Sequence, residues 1–120
     1  MDSAKSSNMS ALHDEAHLTL LCQQQASFIV LVYSNTCKPC QKLKPHLFEK
    51  TKTHDIDVFT FHVDKTNHAS LMAKLEVEKV PHVSCFLDGK YKGSIQNSDI
   101  TVTWPFVEQC INTFDLDSDF

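Results

Sequence analysis

Residues 28–40 read Phe-Ile-Val-Leu-Val-Tyr-Ser-Asn-Thr-Cys-Lys-Pro-Cys, and the order of chemistry within this stretch decides the architecture. Phe28 to Tyr33 is an unbroken apolar run rich in β-branched and aromatic side chains, the composition of a strand covered on both faces. Ser34, Asn35 and Thr36 supply turn chemistry and a helix N-cap. Cys37 then opens a segment in which Leu43, Leu47 and Phe48 recur at helical spacing. Strand, tight turn and helix follow one another directly, with two cysteines at the junction.

Two cysteines three positions apart carry little information as spacing alone. With five cysteines in 120 residues the pattern arises by chance in roughly one sequence in five. Its setting gives it chemistry. The first turn of a helix presents unpaired N–H groups and the positive end of the helix dipole, and Lys38 adds a further positive charge, so all three favour a thiolate at Cys37. Pro39 costs nothing in a first turn, where its missing N–H had no helical partner, and it stiffens the loop. Cys40, one turn deeper, is placed to resolve a mixed disulfide. The competing readings are two buried structural thiols or half of a zinc site. The chain offers no second CxxC to complete the latter, so no metal is expected.

Outward from this junction, Val58 to Val63 alternates Phe59, Phe61 and Val63 against Thr60 and His62, which predicts a second strand ending at Asp64. A helix over about Asn67 to Leu75 follows. Val83–Leu87 and Tyr91–Ile95 flank Asp88-Gly89-Lys90, and Asp-Gly between two apolar runs predicts an antiparallel hairpin. Behind Thr103, the residues Trp104, Val107, Cys110, Ile111 and Phe114 form a helical stripe with Pro105 in the first turn. Toward the N-terminus, Leu12, Ala16, Leu20 and Leu21 give a helix over about His13 to Gln25, with Asp14 and Glu15 early, where negative charge is favoured. Met9 to Leu12 reads either as a short first strand or as the approach to that helix, with Ser10 as a cap. The order (β)αβαβαββα is that of an α/β fold: a central mixed sheet of four to five strands with helices on both faces. It fits a single domain over 1–120 whose ends, 1–9 and 115–120, are expected to be flexible.

Composition agrees with this and narrows the function. Apolar residues make up 42% and charged residues 22%, which suits one soluble domain. The net charge of -4 without a basic cluster disfavours nucleic acid. No apolar run approaches the roughly 18 residues of a spanning helix, so no membrane partner is expected. The opening MDSAKSSNMS has no apolar signal-peptide centre, and an odd set of scattered cysteines fits a reducing, cytoplasmic setting. Cys22, Cys85 and Cys110 each fall on an apolar face and read as core residues. His13, His17, His46, His54 and His68 fall on polar faces or loops and read as solvated.

From about Leu18 to Phe114 the chain resembles the thioredoxin family in the order of its motifs: FIVLVYSNTCKPC, then QKLKP with Pro45 inside the active-site helix, then Lys79-Val80-Pro81-His82-Val83 before an apolar strand, then LDGKYKG. The resemblance implies the thioredoxin fold and a protein-disulfide reductase with Cys37 as nucleophile, Cys40 as resolving thiol, and Thr36, Lys38 and Pro39 in the active-site loop. It implies a cis Val80–Pro81 bond, Pro81 facing Cys37, a Val80 backbone that pairs with extended substrate, and His82 close by. The redox group would be the Cys37–Cys40 disulfide, with no bound cofactor. The partners would be protein disulfides and a thioredoxin reductase or other dithiol donor, acting on a monomer.

The chain also departs from the family pattern. Thr36 stands in place of a tryptophan, Leu31 in place of a buried acid, Thr60 in place of a lysine and Asn97 in place of a glycine. Glu76 and Lys79 stand where glycines are frequent. These departures predict altered proton handling at Cys40, with solvent or His82 standing in for the acid, and a narrowed substrate groove. They also sustain a rival reading, a thioredoxin-like interaction or adaptor module with little or no redox turnover.

Overall fold

The computed structural model describes residues 9–63 and 69–118 of the chain, with side chains as far as 111. The elements run β1 (Met9–Ala11), α1 (Glu15–Gln23), β2 (Phe28–Tyr33), α2 (Lys38–Thr53), β3 (Asp57–His62), α3 (Ala69–Lys74), β4 (His82–Leu87), β5 (Lys90–Ile95) and α4 (Ile100–Ser118). The five strands form one mixed sheet in the order β1-β3-β2-β4-β5. β3 lies parallel to both β1 and β2, whereas β4 is antiparallel to β2 and to β5.

The apolar run that opened the reading is the middle strand, and its alternation explains why it has no polar face. Ile29 and Leu31 point into a cluster with Leu43 and Leu47 of α2 and Trp104, Val107 and Cys110 of α4. Phe28, Val30 and Val32 point the other way, onto Leu18 of α1 and Leu71 of α3. Both sides of β2 are therefore core, as period-two geometry demands of a strand sandwiched between helical layers. Among the described residues no helix is long and apolar enough to cross a membrane.

Several boundaries differ from those expected, each for a local reason. Met9–Ala11 is a strand, paired in parallel with Val58 to Thr60, and Leu12 continues the pairing by donating its N–H to the Thr60 carbonyl at 2.8 Å. The helix that follows starts at Glu15, because Asp14 rather than Ser10 is its cap and accepts the His17 N–H at 2.9 Å. Cys37 itself caps α2, the role expected of the preceding turn residues, and α2 continues through Pro45.

The last helix begins at Ile100, four residues before Trp104, so Pro105 falls in its second turn and not its first. Asp99 makes that earlier start possible: its carboxylate accepts the Thr101 N–H at 2.9 Å and the Thr101 hydroxyl at 2.7 Å. The backbone of α4 stays helical to Ser118, through residues expected to fray. Asn67, His68 and the end of the strand at Asp64 lie outside the described residues, as does the side chain of Phe114.

With only two glycines in the chain, the helix ends are built from other residues. Gln25, Asp55 and Glu76 take φ values of 59°, 59° and 57°. After each, the next N–H reaches back to a carbonyl five residues earlier: Ala26 to Leu21 at 3.0 Å, Ile56 to Thr51 at 2.9 Å and Val77 to Met72 at 3.0 Å. This is the Schellman ending, with a side chain in the left-handed position that usually falls to glycine. In the β4–β5 hairpin, Asp88 (φ 54°) and Gly89 (φ 78°) make the turn expected of Asp-Gly. Gly89 is required there twice over, since a Cβ at this position would collide with the Cys22 carbonyl oxygen.

Candidate active site

Cys37 and Cys40 sit where β2 gives way to α2, at the edge of the sheet's carboxyl ends. They are joined as a disulfide with their Cα atoms 5.2 Å apart. Cys40 is fully buried and Cys37 only partly, so Cys37 is the sulfur that a large partner reaches first. The Cys37 sulfur also accepts the Cys40 N–H at 3.1 Å. That contact is the N-cap interaction itself: an orphan donor of the first turn is aimed at sulfur, and a negative charge on Cys37 would be met by it and by the helix dipole. Pro39 lies in the first turn, where it sacrifices no helical hydrogen bond.

The turn is held by a residue that the sequence reading treated only as turn chemistry. Ser34 is buried, and its carbonyl accepts the Cys37 N–H at 3.2 Å and the Gln41 side-chain amide at 3.4 Å. Its hydroxyl accepts the Thr36 N–H at 3.2 Å and lies 3.0 Å from the Thr36 hydroxyl. Thr36 is thereby drawn back onto the loop and remains exposed, leaving no bulky wall beside the sulfurs. The signal for Ser34 was the small polar residue straight after a buried strand, and Gln41 gave no signal at all. Beside the turn, Lys38, Pro39 and Lys42 face Ser98 of the β5–α4 loop across a groove of about 540 Å³. The neighbouring Asn97 directs its amide oxygen to the Asp99 N–H at 2.8 Å.

On the loop before β4 the Val80–Pro81 bond is cis. Pro81 is buried, and Val80 is half-buried against the cluster beneath α1 and α3.

His82 is not where the sequence reading put it. Its alternating neighbours Val83 and Cys85 face α2 and α4, so His82 faces the opposite layer. It is fully buried, with Nε2 2.9 Å from the Ser84 hydroxyl. Burial pushes its pKa down, against a smaller opposing pull from the Glu76 carboxylate and the Leu75 backbone. The ring is sealed in the layer of α1 and α3, away from solvent. The expectation failed because a one-residue step along a strand reverses the face.

Leu31 has zero exposure and lies among Leu43, Leu47, Val58, Val83 and Trp104, opposite Thr60 and Val83 in the sheet. Position 31 therefore lies in an apolar layer between β2 and the helices α2 and α4. Beside the pair the charge is positive, with Lys38 and Lys42 in the first two turns of α2, in a chain of net charge -4; Lys50 and Lys52 lie in the last turn of that helix. Lys44 lies over the Tyr33 ring, 4.5 Å from its centroid.

The family model described as Thioredoxin matches residues 8–103. Mitochondrial thioredoxin 3 of Saccharomyces cerevisiae, solved in its oxidized form, superposes with a TM-score of 0.75 at 20% identity, covering 84% of this chain and 94% of that one. Thioredoxin O2 of Arabidopsis thaliana, in the oxidized state, gives 0.73 at 21% identity over 86% and 94%. A chain from the complex of ferredoxin:thioredoxin reductase with thioredoxin f2 gives 0.76 at 12% identity over 88% and 96%. The structures establish the shared fold. The family match, spanning most of the chain and including the half-buried Cys37 and its buried partner at the start of a helix, establishes descent: this chain belongs to the thioredoxin family.

Proposed function

We propose that the protein is a thiol-disulfide oxidoreductase that reduces disulfides in other proteins. The observation that carries this reading is the Cys37 sulfur, partly exposed at a helix N-cap, within 3.1 Å of the Cys40 N–H and bonded to the buried Cys40 sulfur. In the dithiol form, the Cys37 thiolate attacks one sulfur of a substrate disulfide and expels the other as a thiolate, leaving a mixed disulfide. Cys40, deprotonated, then attacks the Cys37 sulfur, which closes the Cys37–Cys40 bond and releases the second substrate thiol. Two electrons have moved from the protein to its substrate, and an external dithiol donor, such as a thioredoxin reductase, returns them. The redox group is this disulfide, and the mechanism needs no bound cofactor. Thr36, Lys38 and Pro39 form the rim that a substrate meets first, with the Val80 backbone and Pro81 opposite. A reducing compartment such as the cytoplasm suits a chain whose Cys22, Cys85 and Cys110 are free thiols.

One observation favours a second reading. Leu31 puts a buried apolar side chain where the family resemblance expects an acid, as suits an adaptor that keeps the fold without the turnover. Insulin reduction driven by dithiothreitol separates the two. Acceleration by the parent that is lost in Cys37→Ser supports the reductase, and equal background rates for both proteins support the adaptor. In Cys40→Ser the reductase accumulates a mixed disulfide through Cys37, so the trapped species names substrates directly.

A further inference from the structure

The mechanism leaves three thiols unused, and two of them share one layer of the core. Cys85 lies on β4, opposite Gly93 of β5, and Cys110 lies on α4, where that helix crosses the sheet. Both belong to the cluster between the sheet and the helices α2 and α4. The two thiols stand near enough there to shift each other's titration. Both also line one cavity of about 120 Å³, whose rim includes the exposed residues Ser27 and Asp55. That volume is several times the roughly 30 Å³ a water molecule occupies in the liquid, so a molecule the size of hydrogen peroxide fits inside.

The two sulfurs are not alike. The neighbouring Cys85 thiol lowers the Cys110 pKa to about 7, with Lys92 adding to the effect and burial opposing it. The same interaction, together with burial, raises Cys85 and keeps it a thiol. One sulfur is therefore a nucleophile near neutral pH and the other a proton-bearing neighbour lining the same cavity, the arrangement of an attacking and a resolving cysteine.

This pair is separate from the first. Cys85 is paired with Ile29, whereas the Cys37 turn leaves the other end of β2 beyond Tyr33. Four residues of strand at about 3.3 Å each already put roughly 13 Å between the two positions. Direct exchange between the couples is ruled out by that separation, so an oxidant must come from solution.

We propose that Cys85 and Cys110 are a second redox couple, which a small hydroperoxide converts to a disulfide strapping β4 to α4. The Cys110 thiolate attacks one peroxide oxygen, the O–O bond breaks, and the departing hydroxide takes up a proton as water, leaving a sulfenic acid. Cys85 then attacks that sulfur, giving up its proton, and the sulfenic oxygen leaves as a second water. The protein loses two electrons and two hydrogens, and the peroxide gains them. A small external thiol reverses the change by exchange.

The test uses the full chain with Cys37→Ser and Cys40→Ser, in which Cys22, Cys85 and Cys110 are the remaining thiols. After brief exposure to hydrogen peroxide the thiols are blocked with N-ethylmaleimide under denaturing conditions. The chain is then digested without reductant and analysed by mass spectrometry. The expected result is a cross-linked peptide joining Cys85 to Cys110, with label on Cys22 alone. Three labelled cysteines, a link through Cys22, or sulfinic acid on Cys110 with Cys85 labelled would each overturn the proposal. A Cys85→Ala version should stop at the sulfenic acid and take up dimedone at Cys110, and dimedone at Cys22 instead would count against it. Should that version fail to fold by circular dichroism, the cross-link in the parent background decides alone.

Discussion

Replacing Leu31 with aspartate puts a carboxyl at the centre of the middle strand, and its consequences for stability follow from burial. Leu31 has zero exposure within an apolar cluster, so its loss forfeits about 2–3 kcal/mol of hydrophobic transfer. A neutral carboxyl without partners adds about 1–3 kcal/mol. At roughly 0.05–0.15 kcal/mol per residue, a chain of 120 residues holds about 6–18 kcal/mol, so the variant folds but with a much smaller margin. The diagnostic quantity is the pH dependence. In the unfolded chain the new group titrates near 3.9, whereas burial raises its pKa in the folded protein. Between those two values the folded state binds more protons, so stability falls as pH rises, by about 1.4 kcal/mol per unit. From pH 5 to pH 7 the aspartate variant loses up to about 2.7 kcal/mol that Leu31→Asn, equally polar but not titratable, does not lose. With a urea slope of about 1–3 kcal/mol/M, the difference is a midpoint shift on the order of 1–2 M, read by far-UV circular dichroism in dithiothreitol. If the aspartate and asparagine variants keep a constant offset from pH 5 to pH 7, position 31 is hydrated or compensated and the reasoning fails.

The same variant tests proton handling: if a carboxylate at position 31 speeds resolution, Leu31→Asp raises insulin-reduction turnover and changes its pH profile, whereas an unchanged profile shows the acid to be irrelevant to rate. Glu76→Gly relieves a side chain held at φ 57° and should stabilise the chain by about 0.5–1 kcal/mol, read as a higher urea midpoint. Gly89→Ala combines strain at φ 78° with a collision against the Cys22 carbonyl and should cost at least about 1–3 kcal/mol in the same assay. For His82 the folded pKa is depressed, so the unfolded chain binds more protons as pH falls through about 6.5, and stability drops until the folded pKa is passed. His82→Gln should therefore lose less stability than the parent between pH 7 and pH 5, and parallel pH profiles would refute a buried neutral ring.

What the sequence disclosed was governed by periodicity. The uniformly apolar β2, the alternation in β3 and the Asp-Gly turn each depend on a local rule that tertiary contacts reinforced, so the order of elements along the chain and their layering were readable. Helix boundaries were harder, because their signals here are indirect. Asp99 starts α4 through an acceptor lying ahead of the apolar stripe. Gln25, Asp55 and Glu76 close three helices without the glycine that ordinarily announces such an end. Glu76 had stood out in the sequence as a residue where glycine is frequent, and its positive φ is the physical content of that oddity.

At the site, the legible residues were those whose role is local in sequence. Cys37, Pro39 and Cys40 are placed by the cap and first turn of α2, which the apolar strand, the turn residues and the helical spacing around them are enough to specify. The roles of His82, Cys85 and Cys110 depend on which side of the sheet each side chain occupies and on what an element from elsewhere in the chain brings to it. His82 was assigned by proximity to Pro81 along the chain, yet a single step along β4 carried its ring to the α3 layer and into contact with Ser84. The same alternation, continued to Cys85, turned that thiol toward α4 and into the cluster that holds Cys110, twenty-five residues away, a juxtaposition no local pattern announces. The strand that turned His82 toward α3 thus turned Cys85 into the layer that also holds Cys110. The question of one redox couple or two turns on the face that Cys85 presents.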